Sequence, residues 1–187
     1  MEHGDCSTRR LHGCECGPKQ RYFFGSKLCA VRRVLLCLLL LCQSVRAETL
    51  SGTVTRIMDG DTLTVEDAQK RKHRIRLAEI DAPQRKQAFG AKSRESLSAL
   101  CLKKPAKVEW QAKDKNDRYV GQVTCNGVDA SAEQVRTGMA WVSPASTKPG
   151  SPLYELEAYA RIRGLGLWAD AEPVPPWEWD PSKSSKK

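Results

Sequence analysis

Three aspartates stand where the chain is predicted to turn, a placement that suits a metal ion. Asp59 and Asp61 flank a glycine in the segment Asp59–Thr62, and Asp81 ends a predicted strand. Hard cations such as calcium bind several oxygen ligands, mainly carboxylates and carbonyls. An Asp-Gly-Asp segment alone is more often only a turn, so the surrounding residues must decide between the two interpretations.

Two arginines could hold a phosphate group beside these carboxylates. Arg76 lies five residues before Asp81, and Arg118 lies just before another predicted strand. A guanidinium offers a planar fork of donors that matches phosphate oxygens. Two arginines and a metal ion around one phosphate would stabilise a pentacoordinate transition state. Taken singly, each arginine could equally be a solvated residue on a strand face.

The elements that position these residues are predicted from hydrophobic periodicity and turn signals. The predicted strands are residues 52–58, 62–65, 73–80, 107–110 and 120–124. The predicted helices are residues 88–102, 131–138 and 151–164. Ser131 is expected to be the N-cap of the second helix, with Gln134 as its capping-box partner.

The order of these elements predicts an α+β fold that is mainly β. Three strands, a helix, two strands and two helices is the order of a five-stranded OB-fold barrel with three helices. An unrelated small α+β sheet could share this order. The predicted domain covers residues 48–170, and residues 171–187 are a Pro/Trp-rich and basic tail that we expect to be disordered from Pro181.

Residues 1–47 are predicted to be a leader that contains a signal peptide. Two arginines precede the unbroken apolar run 34–42, and a plausible cleavage site follows at Ala47. The run is shorter than the roughly 20 residues that a bilayer span needs. We therefore expect export to the periplasm or beyond the cell, with a buried core helix as the other interpretation of the run.

Removing the leader changes the charge and the cysteine content. Residues 1–47 hold eight of the 31 basic and three of the 22 acidic residues, so the net charge falls from +9 to +4. The remaining basic excess suits a polyanionic partner. Of the eight cysteines only Cys101 and Cys125 remain. In an exported domain they are expected to form one disulfide, and two separately buried thiols are the alternative.

Taken together, these motifs resemble the staphylococcal (micrococcal) thermonuclease family. The family shows D-G-D-T and, about ten residues after the strand that follows, R-L-x-x-(I/V)-D-x-P-E; segments 59–62 and 76–84 correspond. Its second motif, D-(K/R)-Y-G-R-x-(V/L)-(G/A), corresponds to segment 114–121. Segments 135–142 and 164–168 are similar to the family's second-helix ending and its C-terminal Trp motif. The resemblance runs from about residue 50 to residue 168.

The resemblance implies both a reaction and a set of site residues. The implied reaction is hydrolysis of DNA and RNA phosphodiester bonds by a calcium-assisted water, which leaves 3′-phosphate ends. The implied roles are calcium ligands (Asp61, Asp81 and the backbone carbonyl of Ala82), phosphate contacts (Arg76 and Arg118) and a contact near a terminal nucleotide phosphate (Lys115). We expect a monomer that has no stable membrane association once the leader is removed.

The chain departs from the family pattern at Gln84, where the family has a glutamate assigned to the attacking water. Glutamine can hydrogen-bond water but cannot accept a proton from it. Because general-base assistance contributes about 10²–10⁴-fold, Gln84 predicts a slow enzyme. A second departure, Asp117, adds negative charge beside Arg118. These departures favour the alternative of a catalytically silent OB-fold module that binds nucleic acid or a protein.

The second motif can also be aligned in another register. Pairing residues 117–119 with D-R-Y would place Gly121 where the family has its arginine. The register that uses Arg118 keeps the turn at Asn126-Gly127 and the end of the second helix in step with the family. We therefore predict that Arg118 lies across one pocket from Asp61 and Arg76.

Overall fold

The computed structural model describes residues 48–184, which contain eight strands, four α-helices and one 3₁₀-helix. The strands are β1 (Glu48–Asp59), β2 (Thr62–Glu66), β3 (Lys72–Leu77), β4 (Ile80–Asp81), β5 (Pro105–Lys113), β6 (Tyr119–Cys125), β7 (Val128–Asp129) and β8 (Trp141–Val142). The helices are α1 (Gly90–Cys101), α2 (Ala130–Arg136), α3 (Leu153–Ile162) and α4 (Pro181–Ser184), with the 3₁₀-helix at Gly166–Ala169.

Five of these strands form a closed barrel. Their order is β3-β2-β1-β5-β6, each neighbouring pair is antiparallel, and a parallel pairing of β3 with β6 closes the ring. The inward-facing apolar side chains of these strands are fully buried: Val54, Leu63, Val65, Ile75, Val108 and Val123. The predicted five-stranded OB-fold barrel with helices is confirmed.

The seam between β3 and β6 depends on a glycine. In this seam Leu77 lies opposite Gly121, which also lies opposite Trp110 of β5. A side chain at residue 121 would collide with the Glu109 carbonyl oxygen and with the Cβ atom of Trp110. Only a residue without a Cβ atom allows the three strands to approach this closely. Residue 121 is therefore a packing position of the barrel seam.

Helix α1 covers one end of the barrel and is attached to it by a disulfide. Leu97 and Cys101 of this helix are fully buried. Cys101 at the end of α1 is bonded to Cys125 at the end of β6, with their Cα atoms 5.2 Å apart. The expected disulfide is present, and the alternative of two separate buried thiols is wrong.

Two expected boundaries differ from those of the structure. The predicted strand 73–80 ends at Leu77, because Glu79 takes a left-handed conformation with φ 64° and its carbonyl accepts from Ser143 and Thr147. Ile80–Asp81 then form the separate strand β4, which pairs with β8. The tail is helical at Pro181–Ser184, so the expected disorder from Pro181 is wrong for these residues.

The capping of α2 also differs from the prediction. Its N-cap is Asp129, whose side chain accepts a hydrogen bond from the Ala132 N–H at 2.9 Å. Ser131 lies inside the helix and donates to the Ala78 carbonyl. Gln134 is fully buried, and its amide nitrogen donates to the Gly60 carbonyl at 2.8 Å. Gln134 therefore joins α2 to the turn between β1 and β2.

The predicted leader, residues 1–47 with the apolar run 34–42, lies outside the described residues. Among residues 48–184, no helix is long and apolar enough to cross a membrane.

Removal of the disulfide is expected to destabilise the barrel without changing its topology. The bond closes a loop with a sequence separation of 24 residues, which corresponds to about 3 kcal/mol of chain entropy in the unfolded state. The double variant Cys101→Ala, Cys125→Ala should therefore unfold at a lower urea concentration. Its unfolding free energy should be about 3 kcal/mol smaller than that of the oxidised wild type. An identical urea midpoint for the variant and the oxidised wild type would contradict the expectation.

Candidate active site

The turn between β1 and β2 fixes the carboxylate of Asp61. The residue is 7% exposed. Asp61 Oδ1 accepts from the Thr62 hydroxyl at 2.8 Å, and Oδ2 accepts from the Ala82 N–H at 3.2 Å. Its backbone carbonyl accepts from the Leu77 N–H at 2.8 Å. These bonds hold the turn against the end of β3 and against the segment that follows β4.

Arg76 contacts both aspartates that the sequence predicts as calcium ligands. Its Nη1 lies 3.4 Å from Asp61 Oδ2, and its Nη2 is hydrogen-bonded to Asp81 Oδ1. Arg76 reaches Asp61 because β3 places it opposite Thr62. Asp81 is presented by β4, where it lies opposite Trp141 of β8. Three segments that are separate in sequence therefore meet at one guanidinium.

Arg118 is directed to the same turn from the hairpin between β5 and β6. Its Nη1 donates to the Thr62 hydroxyl at 3.3 Å, and that hydroxyl donates to Asp61. The side chain is held by Asp114, whose Oδ2 accepts from Nε at 2.8 Å and lies 2.7 Å from Nη2. Asp61, Asp81, Arg76 and Arg118 are thus connected in one polar cluster through Arg76 and Thr62, as the favoured register of the second motif predicts.

Asp114 is a residue of this site to which the sequence analysis gave no role. Its Oδ1 accepts from the backbone N–H groups of Asn116 and Arg118. Burial alone would raise the pKa of Asp114, but the hydrogen bonds from the Arg118 guanidinium and from these two N–H groups outweigh it and lower the pKa to about 2. The signal in the sequence was the match of Asp114 to the first residue of the second motif, four residues before Arg118.

The negative charge of Asp117 is directed to a lysine and not to Arg118. Asp117 adopts φ 57° at the tip of the hairpin, and its side chain is exposed. Its carboxylate lies 2.7 Å from Lys113 Nζ, and this hydrogen bond raises the pKa of Lys113. The expectation that Asp117 acts on Arg118 is corrected, because Asp117 pairs with Lys113 and Asp114 is the carboxylate that pairs with Arg118.

Asp59 adds a third carboxylate beside Asp61. Burial raises the pKa of Asp59, and the negative charge of Asp61 raises it further. Its Oδ1 is buried without a hydrogen-bond donor among the described residues, and Arg85 Nε lies 3.9 Å away. A buried carboxylate oxygen without a donor is a chemical environment that a cation would satisfy.

The other predicted site residues lie on the two loops that border the pocket. Ala82 is buried directly after β4, and its N–H is bound to Asp61. Gln84 is exposed two residues later, and Lys115 is exposed at the tip of the hairpin that carries Arg118. Ala82 therefore contacts Asp61, whereas the roles of Gln84 and Lys115 stay predictions.

Within residues 48–184, no group of three or more His, Cys, Asp or Glu side chains is assembled closely enough to hold a metal ion. The donor set is nevertheless suitable for a hard cation, because Asp61 and Asp81 approach one guanidinium and Asp59 has a buried oxygen without a donor. Asp61, Asp81 and the carbonyl of Ala82 are the residues that would hold it.

A closed five-stranded barrel with these helices defines an OB-fold protein, and its carboxylate and arginine site suits phosphate chemistry. A family model described as staphylococcal nuclease homologue matches residues 74–170. The chain belongs to the staphylococcal nuclease homologue family.

This chain aligns with most of the length of several relatives. An uncharacterized endonuclease of Escherichia coli is 42% identical over 130 residues, which is 68% of this chain and 83% of the relative. An uncharacterized endonuclease of Haemophilus influenzae is 37% identical over 153 residues, 79% of this chain and 85% of the relative. A micrococcal nuclease of Shigella flexneri is 34% identical over 164 residues, 82% of this chain and 94% of the relative.

The ion pair between Asp114 and Arg118 predicts a defined dependence of stability on pH. The folded-state pKa of Asp114 is about 2, below the unfolded value of about 3.9, so its contribution is present above about pH 4 and is lost as the pH falls towards about 2. Asp114→Asn should lower the unfolding free energy at neutral pH by about 1 kcal/mol. The difference from wild type should close between about pH 4 and about pH 2.

Urea unfolding at a series of pH values is the measurement. Asp117→Asn is the matched control, because this aspartate belongs to the same hairpin turn but its side chain is 83% exposed and paired with a lysine. Its effect should be small at every pH. A difference between wild type and Asp114→Asn that stays constant down to about pH 2 would contradict the assignment.

Proposed function

We propose that this chain is an exported, calcium-dependent nuclease that hydrolyses phosphodiester bonds of DNA and RNA. The observation that carries the proposal is the meeting of Asp61 and Asp81 at Arg76, with Arg118 bound to the neighbouring Thr62. Relatives that are named as nucleases support the reaction class. The leader pattern and the disulfide between Cys101 and Cys125 support export, since disulfides persist in oxidising compartments.

Each arginine has a separate part in holding the phosphate. Arg76 approaches the turn at Thr62 from β3 and Arg118 approaches it from the hairpin between β5 and β6, so their guanidinium groups can donate to different oxygens of one phosphate. Both are held by carboxylates before substrate binds, Arg76 by Asp61 and Asp81 and Arg118 by Asp114. This arrangement directs positive charge to the place where negative charge develops during the reaction.

Calcium is the cofactor that this donor set favours. Asp61, Asp81 and the Ala82 carbonyl supply oxygen ligands, which calcium prefers over nitrogen or sulfur. When bound, the ion would act as a Lewis acid on a phosphate oxygen and would lower the pKa of a coordinated water.

The residue type at position 84 limits the rate of the proposed hydrolysis. Gln84 is exposed on the loop that leaves Asp81, and a carboxamide can hydrogen-bond a water. It cannot accept the proton that the water releases on attack. The chain therefore keeps phosphate binding and substrate orientation but lacks general-base assistance from this position.

A basic row on the outer barrel face favours a polynucleotide over a small phosphate ester. Arg56 lies opposite Thr64, which in turn lies opposite Arg74 on the next strand, and Arg76 lies two residues further along β3. Both Arg56 and Arg74 are exposed, and neither forms an ion pair with a described carboxylate. Their charges are free to contact successive backbone phosphates that lead away from the site.

The substitution Gln84→Glu is expected to raise turnover. A carboxylate at this position can accept the proton, so the calcium-dependent rate on single-stranded DNA should rise by about 10²-fold or more. DNA affinity should change little, and calcium affinity should increase modestly because a negative charge is added near the metal site. Rates of the purified wild type and variant at saturating calcium are the measurement.

Gln69→Glu is the matched control for this substitution. Gln69 is an exposed glutamine in the turn between β2 and β3, so it receives the same change of charge outside the pocket. Its rate should equal that of the wild type. Equal, near-zero rates for the wild type and Gln84→Glu would contradict the nuclease proposal and favour a silent binding module.

Neutralising the basic row should weaken polynucleotide binding without slowing the chemical step. The double variant Arg56→Gln, Arg74→Gln removes two phosphate contacts, so the slope of log K against log salt should decrease by about 1.4 for a single strand. KM for long single-stranded DNA should rise, while kcat and the rate on a dinucleotide substrate should stay unchanged. Lys107→Gln is the control, because Lys107 is already paired with Glu109 at 2.6 Å. If the slope of log K against log salt stayed unchanged in the double variant, the substrate would not contact Arg56 and Arg74.

A further inference from the structure

The loop between β4 and α1 carries Gln84 and has a tightly bonded backbone. The Gln87 N–H donates to the Gln84 carbonyl at 2.9 Å, and the Gly90 N–H donates to the Gln87 carbonyl at 3.0 Å. Phe89, which precedes α1, adopts a left-handed conformation with φ 63°. A side chain at residue 90 would collide with the Gln84 carbonyl oxygen. The loop therefore holds residues 84–90 in a compact double turn next to the pocket.

The side chain of Gln87 connects this loop to a distant segment. Gln87 is 7% exposed, and its Oε1 accepts a hydrogen bond from the Gln84 N–H at 3.0 Å. Its Nε2 donates to the backbone carbonyl of Val174 at 2.5 Å. Both ends of the carboxamide are thus used. Reversing it would place Nε2 against the Gln84 N–H, donor against donor, and Oε1 against the Val174 carbonyl, acceptor against acceptor. A buried amide left without its partners costs about 1–3 kcal/mol per group, so this orientation is fixed.

Val174 belongs to the tail that follows the 3₁₀-helix. The tail residues Pro173, Val174 and Trp179 line a cavity of about 440 Å³ together with Gln87 and Phe89 of the loop. The Val174 side chain is 47% exposed, so its contact with the loop is made through the backbone carbonyl. The tail therefore contacts the loop, although the sequence shows only a Pro/Trp-rich segment with no relation to the site.

We propose that Gln87 is a positioning residue through which the C-terminal tail sets the direction of Gln84. The inference rests on the proposed function, because Gln84 is the group assigned to the attacking water. Gln84 is exposed, and its backbone is held by two local hydrogen bonds to Gln87, one from its own N–H and one to its carbonyl. A shift of the reacting geometry by about 1 Å can cost about 10²-fold in rate. The tail thereby contributes to turnover without touching substrate.

Two changes to the full chain break the connection at different points. Gln87→Met keeps the length of the side chain but removes both hydrogen bonds. A stop codon at Pro173 removes the acceptor at Val174 and keeps Gln87. Both should lower kcat on single-stranded DNA by about tenfold while KM changes less than about twofold, since phosphate contacts are untouched. Gln69→Met is the matched control at an exposed glutamine and should retain the wild-type kcat.

Hydrogen exchange at the Gln84 amide gives a readout that does not depend on activity. The amide should exchange slowly in the wild type and in Gln69→Met, and faster in Gln87→Met and in the truncated chain. Gln87→Glu keeps an acceptor for the Gln84 N–H but cannot donate to Val174. Only the link to the tail is then cut, so this variant should expose the Gln84 amide as the truncated chain does, while the fluorescence of the tail tryptophans reports a released tail.

The outcomes separate the inference from the proposed function. If neither the wild type nor Gln84→Glu cuts DNA but Gln87→Met accelerates exchange at Gln84, the nuclease proposal fails and the positioning role of Gln87 stands. Unchanged exchange at Gln84 in both Gln87→Met and the truncated chain would overturn the inference. It would also be overturned if Gln87→Glu released the tail and left the Gln84 amide as protected as in the wild type.

Discussion

The guanidinium of Arg76 is the contact on which the rest of the site depends. Asp61 and Asp81 are like charges that oppose their own approach, and a cation between them offsets that repulsion. Arg76 can reach both only because β3 pairs with β2 on one side and the chain turns sharply after Leu77 on the other. The barrel register and the turn at Ala78–Glu79 are therefore conditions for the pocket and not merely features of the fold.

Around this contact, the helices restrain the loops that the barrel leaves free. Gln134 of α2 donates to the carbonyl of Gly60, within the turn that presents Asp59 and Asp61. Gln87 performs the corresponding task for the loop that presents Gln84, with the tail as its support. Gln134 thus attaches its turn to α2 and Gln87 attaches its loop to the tail, and each uses an amide that can donate and accept at the same time.

The barrel and much of the site were predictable from the sequence because their signals are local. Alternating apolar residues located the five barrel strands, and the motifs that contain Asp61, Arg76, Asp81 and Arg118 located the pocket. The misassigned features depend on partners far along the chain. Gln134 matched a capping box by spacing, but its partner is Gly60. The bond from Gln87 to Val174 spans 87 residues, and no periodicity or spacing reveals such a contact.

The parallel seam between β3 and β6 has a consequence for timing. Asp61, Arg76 and Asp81 lie on neighbouring segments of the chain, whereas Arg118 arrives with the hairpin of β5 and β6. A chain that has folded only as far as β3 therefore holds Asp61 and Arg76 but lacks both Asp81 and Arg118. Pairings between distant segments form late, because loop-closure entropy opposes them. The site is complete only after the barrel has closed, so a chain that is kept unfolded has no assembled active site.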